Sequence, residues 1–463
     1  MKYDDAISYL YALQKHGIKL GLDNTVRLLS LLGNPQHSFA AVHIAGTNGK
    51  GSTSSMIASV LRAAGLRVGV FTSPHLVSFT ERIRVDGVEI TQEEVVELTG
   101  EIREVIEKNQ GAGTAPLHPP LGKGGQKGGD FLPTFFEFVT AMAFLYFRRK
   151  GVEWVVVETG MGGRLDATNI LIPRVSVITR IGHDHREFLG ETLTDIAFEK
   201  AGIIKEGVPV VSSVQGPEAL KVIRETAARK GAALFLYGRE FSSHALAGDL
   251  EGVSFTYEGQ RRLENLRVPL CGLHQAENAA VAVKALELLA GTCPVTEQTI
   301  REGLAGVVWP GRLELIRREG RRHDLLIDGA HNPDAAQALA DALKRYFVPA
   351  YGKIVLILGI MADKDIEGIM RPLLQVASEI ILTAPDYARA ASPDQLAAFA
   401  RASGLEPATA PSLEKAMELA VMKAESGPFR TRRSLIVITG SFYTIGEAKT
   451  LLGHEGVLQR LRE

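Results

Sequence analysis

The sequence predicts an α/β protein of two domains, each built on a mostly parallel sheet with helices on both faces. Three observations carry this expectation. Short apolar runs alternate with amphipathic helical stretches along most of the 463 residues, the pattern of strand, crossover helix and parallel strand. The runs end in polar, glycine-bearing or charged segments, as strands do whose carboxyl ends border a ligand crevice. The alternation also pauses near residue 290 and restarts after residue 310, and a chain of this length exceeds what one hydrophobic core serves. The domains expected are residues 1–308 and 309–463.

In order, the runs at 40–45, 67–71, 154–158, 175–179 and 208–212 read as strands of the first sheet. Valine recurs in them, and β-branched side chains suit a buried pleated surface. A helix is expected over 54–64. Residues 251–270 break into short alternating runs, 253–257 and 266–270, which suggest a small antiparallel appendage. A helix over 275–289 then closes the first domain, and 291–310 reads as a linker. In the second domain strands are expected at 323–328, 353–359, 379–383 and 434–439, with helices at 334–347, 366–377, 392–402 and 412–425. Residues 110–129 carry glycine, proline and lysine with hardly an apolar side chain, so a mobile surface loop is expected there.

Composition narrows the function classes. A formal charge of -1 supplies no electrostatic footprint for nucleic acid or an anionic membrane, and clusters such as Arg148-Arg149-Lys150 read as solvated faces. The longest apolar candidate, 138–147, is short of the roughly 18 residues that span a bilayer. The start, M-K-Y-D-D, has no apolar signal region, and Cys271 and Cys293 make neither a disulfide framework nor a metal site. A cytoplasmic protein without nucleic-acid or membrane partners is expected.

The chemistry concentrates at strand ends. Gly46 to Thr53 reads G-T-N-G-K-G-S-T directly after the first apolar run. A glycine turn there aims several backbone N–H groups into one hollow, and the following helix adds its positive end, a cradle for a polyphosphate. Lys50 would reach the β- and γ-phosphates, and Ser52 or Thr53 would face magnesium. The strict Walker spacing is not met, since Gly51 stands between Lys50 and Ser52. Glu158 ends a second apolar run before a glycine-bearing loop, where a nucleotide-bound magnesium needs an oxygen ligand, although a loop cap has the same look. His185, in I-G-H-D-H, suits a metal ligand, a phosphate contact or a surface position.

Taken with further motifs in order, the chain resembles the folylpolyglutamate synthases, and among them those that are also dihydrofolate synthases, within the wider family of ATP-dependent muramyl-type ligases. The motifs are T-S-P-H-L at Thr72, E-R-I at Glu81, R-L-D-A-T-N at Arg164, E-K-A-G-I at Glu199, H-Q-A-E-N-A at His274, W-P-G-R-L-E at Trp309, D-G-A-H-N-P at Asp328, A-D-K-D at Ala362 and T-G-S-F-Y at Thr439. The resemblance implies a P-loop NTPase-like first domain and a smaller Rossmann-like second one. It implies that Asn48, Gly49, Lys50, Gly51 and Ser52 hold ATP and that Ser73, Glu158 and His185 bind magnesium. Asn278, Arg312 and Asp328 match contacts to adenine, phosphate and ribose, and His331 supports catalysis. Lys200 matches a lysine carbamylated in the family, a change that turns a cation into an oxygen ligand. Thr134, Phe135, Phe136 and Glu137, with Leu165, Asp166 and Ala167, match pterin contacts; aromatic rings suit a flat pterin and a carboxylate reads its N–H donors, though an F-F pair at a helix start is equally often core.

The implied reaction is ATP-dependent amide formation. A carboxylate of dihydropteroate or a reduced folate takes the γ-phosphoryl group, and the amine of L-glutamate then displaces phosphate. Closure of the two domains about residue 310 would assemble the site, and a monomer is expected. The chain departs from the family pattern in Arg180, His183 and Arg186. Only about 40 residues precede the phosphate strand, too few for the uridine-nucleotide domain of a muramyl-peptide ligase.

Overall fold

The computed structural model describes residues 1–16, 21–109, 132–426 and 432–453, so the expected loop at 110–129 lies outside the described residues. The first sheet is built from β1 (Ala40–Ala45), β2 (Val68–Phe71), β3 (Ile83–Val85), β4 (Val88–Glu89), β5 (Trp154–Glu158), β6 (Val175–Ile178), β7 (Val210–Ser212) and β8 (Leu234–Leu236). Their order is β4-β3-β2-β5-β1-β6-β7-β8. The strands from β2 to β8 pair in parallel, and the β3–β4 hairpin adds an antiparallel edge. All five expected strands lie in this sheet.

Strand periodicity divides the core. Val42, Ile44 and Val156 point to one face, where Met56, Val60, Ala279 and Val283 of the helices Lys50–Ala63 and His274–Leu289 cover them. Ala41, Val155 and Val157 point to the other, against Phe138, Met142 and Leu145 of the helix Phe135–Arg149. That helix is apolar nearly all round, and it is buried from Glu137 to Phe147. Among the described residues no helix is long and apolar enough to cross a membrane.

The appendage has three strands, β9 (Ser242–Asp249), β10 (Gly252–Glu258) and β11 (Arg262–Val268), in an antiparallel sheet. The expected linker at 291–310 is corrected by the structure: Glu297–Ala305 is a helix, capped by the Thr296 side chain, that buries Ile300, Gly303 and Leu304. Gly303 lets it press onto the helix Lys50–Ala63, because a Cβ there would run into the Val60 backbone. Ile300, Gly303 and Leu304 share one buried face at helical spacing, but a nine-residue run with only these inward positions is short enough to read as a linker.

The second sheet holds β12 (Glu314–Ile316), β13 (His323–Ile327), β14 (Lys353–Leu358), β15 (Glu379–Leu382), β16 (Ala408–Thr409) and β17 (Ser434–Thr439). Their order is β12-β13-β17-β14-β15-β16, parallel except for β12. The helices Pro333–Ala342, Ile366–Leu374 and Pro393–Ala402 cover one face, and Leu413–Glu425 with Phe442–Leu451 covers the other. The loops after β13 and β14 meet those after β1 and β6, through Asn48 with Asn332 and Asp184 with Lys364.

Candidate active site

The glycine turn after β1 forms as its composition requires. Gly49 adopts φ +90°, and the next residue, Lys50, already begins the helix. No side chain caps that helix, so the N–H groups of its first turn are open to an anion. A Cβ on Gly49 would stand 2.5 Å from Asn278 Oδ1, and one on Gly51 2.5 Å from the Trp309 ring. The turn is thus held between Asn278 and Trp309, and glycine is needed at both positions.

Lysines crowd the turn. Lys50 Nζ donates to the carbonyls of Gly46 (3.1 Å) and Thr47 (3.2 Å) and lies 3.6 Å from Glu158 Oε1. Lys200, buried on the helix Leu193–Ala201, donates to the same Gly46 carbonyl at 2.8 Å. Burial, with the Lys50 charge beside it, lowers Lys200 to about 7. Burial raises the Glu158 carboxyl, against the pull of Lys50, Arg312 and a backbone hydrogen bond from Ser73. Lys50, Lys200, Glu158 and Ser73 therefore share one small region at the ends of β1, β2 and β5.

The second domain reaches this region through Asp184. Lys364 Nζ lies 2.7 Å from its Oδ1, and His331 Nε2 lies 3.4 Å from its Oδ2, with His185 Nε2 at 3.8 Å. Burial alone would raise Asp184, but the His331 hydrogen bond and the charges of His185, His331 and Lys364 outweigh it and hold the carboxyl well below its ordinary range. Partial burial and the Lys364, Lys200 and Lys50 cations lower His185 to about 4 despite Asp184, so near neutrality its ring keeps a lone pair for a metal. Asn48 and Asn332 exchange side-chain hydrogen bonds of 3.3 and 3.0 Å. Lys364 and Asn332 were not singled out from sequence: both act across the cleft, and only the quoted A-D-K-D and D-G-A-H-N-P motifs marked their neighbourhood.

Several expected ligand contacts have structural work to do. Asp328 accepts from the backbone N–H of Leu313 (2.8 Å) and Ala330 (2.9 Å), which fixes the loops carrying Arg312 and His331. The Arg312 guanidinium lies 4.8 Å from the Phe442 ring centroid. Thr134 and Glu137 form a capping box at the start of Phe135–Arg149, the carboxylate accepting from Thr134 N–H at 2.6 Å. Phe135 stacks with Tyr11 at 5.5 Å, and Phe136 packs beside Phe71 and Gly160. Asp166 accepts from the N–H groups of Met161 (2.9 Å) and Thr168 (3.0 Å), so it shapes the loop that holds half-buried Leu165 and buried Ala167.

Among the described residues no three acidic, histidine or cysteine side chains form a ready metal cage. Magnesium keeps waters and phosphate oxygens as ligands, so one or two protein groups suffice. Buried Glu158, next to Ser73 and the open helix end, fits that requirement, and neutral His185 supplies a nitrogen nearby. His43, on β1 beneath the site, puts Nε2 2.8 Å from Thr168 Oγ1, and burial lowers it to about 3. Between that value and the ordinary 6.5 only the unfolded chain binds the proton, so stability falls as pH drops through this window. For this one residue the slope should approach about 1.4 kcal/mol per pH unit. Denaturant unfolding between pH 6.5 and 4.5 should show a shallower slope in His43→Gln than in the unchanged protein.

Comparison with known proteins matches this arrangement. Residues 133–286 match the Mur ligase middle domain and 311–442 the Mur ligase glutamate ligase domain. The chain is 39% identical over 395 residues to the dihydrofolate synthase/folylpolyglutamate synthase of Bacillus subtilis, which covers 84% of this chain and 86% of that protein. Mycobacterium tuberculosis folylpolyglutamate synthase complexed with ADP superposes with a TM-score of 0.87 at 33% identity, over 98% of this chain and 100% of that one. Escherichia coli FolC in complex with DHPP and ADP gives 0.83 at 30%, over 98% of both chains. With an open helix end and lysines at β1, a carboxylate at β5, and a glutamate ligase domain closing over them, the chain belongs to the folylpolyglutamate synthase/dihydrofolate synthase family of Mur ligases, ATP-dependent enzymes that form amide bonds.

Proposed function

We propose that this chain is a bifunctional ligase: it joins L-glutamate to the carboxylate of dihydropteroate and to the γ-carboxylate of reduced folyl-glutamates, with ATP cleaved to ADP and phosphate. The observation that carries this reading is the convergence of Lys50, Lys200 and Glu158 on the turn after β1, directly across from His331 and Lys364 of the second domain. A carboxylate does not react with an amine unaided near neutrality, so it must first be activated. The N–H groups of the Gly49–Ser52 turn bind the triphosphate, and Lys50 exchanges its two carbonyl partners for phosphate oxygens. The acceptor carboxylate attacks the γ-phosphorus, the bond to the β-phosphate oxygen breaks, and ADP leaves. The glutamate amine then attacks the acyl phosphate carbonyl, loses a proton and releases phosphate. Glu158, Ser73 and His185 would hold magnesium, which when bound would supply positive charge to offset the phosphate oxygens.

Asn48, Asn278, Arg312 and Asp328 complete the nucleotide site, and Thr134–Glu137 with Leu165–Ala167 border the pterin. Lys200 is carbamylated in the working enzyme. Its buried amine, lowered to about 7, has a far larger neutral fraction at physiological pH than an ordinary lysine, and the neutral amine adds to carbon dioxide with loss of one proton. The carbamate reverses the charge beside Lys50 and supplies oxygens of the kind magnesium prefers. The hinge for closure lies near Pro310, between domains of residues 1–308 and 309–463. Product analysis with ATP, L-glutamate and either dihydropteroate or tetrahydrofolate tests this reading. Glutamate-dependent products from both acceptors are expected; a product from tetrahydrofolate alone would reduce it to tail lengthening.

A further inference from the structure

Arg82 ends the single turn Phe79–Arg82, just before β3, and it is 8% exposed. Among the described residues no carboxylate lies within ion-pair distance of it, and its one side-chain hydrogen bond runs from Nε to His75 Nδ1 at 2.8 Å. Because that ring nitrogen accepts, neutral His75 carries its proton on Nε2, which faces the Tyr11 hydroxyl oxygen at 3.3 Å. Tyr11 also stacks on Phe135, whose ring centroid lies 5.4 Å from the guanidinium carbon. Among the described residues, the carboxylates that act on it most strongly are Glu81 and Glu158. Glu81 accepts from the N–H groups of Leu76, Val77 and Ser78, and Glu158 pairs with Lys50.

A guanidinium does not give up its proton in a protein, and a buried cation without an anion is costly. Here the cost persists while Tyr11, His75 and Phe135 hold the group in one orientation, with Nη1 and Nη2 free of protein acceptors among the described residues. A planar pair of donors matches a carboxylate. The group lies beside Phe135, within electrostatic reach of Glu158 and of Tyr443 from the second domain, hence at the cleft where the substrates meet. We propose that Arg82, oriented by His75 and Tyr11, is the receptor for a substrate carboxylate, that of the pterin-bearing acceptor or that of L-glutamate. This rests on the ligase reading above.

The test measures KM for ATP, acceptor and L-glutamate separately in Arg82→Gln, Arg82→Lys and His75→Ala, with melting temperatures alongside. In Arg82→Gln, KM for one carboxylate substrate should rise about tenfold or more while KM for ATP stays put. Which KM moves identifies the carboxylate. Arg82→Lys, which keeps the charge and loses the fork, should recover only part of the loss, and His75→Ala should raise the same KM by less. Unchanged KM for both carboxylate substrates in Arg82→Gln or, if that variant does not fold, in Arg82→Lys would overturn the proposal. An unmodified enzyme that makes no glutamate-dependent product would instead overturn the ligase reading itself.

Discussion

Glu158→Ala should lose turnover by about a hundredfold or more, the order expected when a group that organises charge around a transferring phosphoryl is removed. The carboxylate is buried at the end of β5, and among the described residues its only ion pair is with Lys50 at 3.6 Å. Without it, Lys50 keeps the Gly46 and Thr47 carbonyls and settles onto the turn. The melting temperature should therefore shift little, because burial already works against the charged carboxylate that is being removed. Steady-state kinetics over a magnesium titration decides the matter: near-normal turnover at saturating magnesium would exclude Glu158 from the metal site.

Lys200→Ala should bind ATP with nearly unchanged affinity, through the turn and Lys50, yet lose most ligase turnover. Acetate or formate should restore part of it by occupying the vacated space with a carboxylate. In the unchanged enzyme, stripping carbon dioxide should lower activity and bicarbonate should restore it. Recovery should be faster above about pH 7, where the Lys200 amine is predominantly neutral. Normal turnover in Lys200→Ala, without added carboxylate, would leave Lys200 as no more than a buried amine on the Gly46 carbonyl.

The long parallel strands were legible in the sequence because each is a compact apolar run with a polar end. Several strands of two or three residues, among them β4, β12 and β16, were not, since so few side chains set no period. The helix Glu297–Ala305 was hidden for a related reason: its buried face is short, and one of its three inward positions is Gly303, packed against Val60. At the site, residues adjacent in sequence were easier to find than those joined across it. The turn of Gly46 to Thr53 is continuous, whereas Asp184 and Lys364 are 180 residues apart and meet only when the two sheets face each other. Sequence also cannot separate a ligand contact from local structural work. Thr134 and Glu137 fit a capping box as readily as a pterin contact, and the folded chain uses them in the box.

The most direct test follows the oxygen atoms of the acceptor. With heavy oxygen in the acceptor carboxylate, ATP and L-glutamate, activation as an acyl phosphate sends one labelled oxygen into the released inorganic phosphate and leaves the other in the new amide. Mass analysis of the phosphate should find one labelled oxygen per product formed. Phosphate free of label, with glutamate still joined to the acceptor, would contradict attack of the carboxylate on ATP.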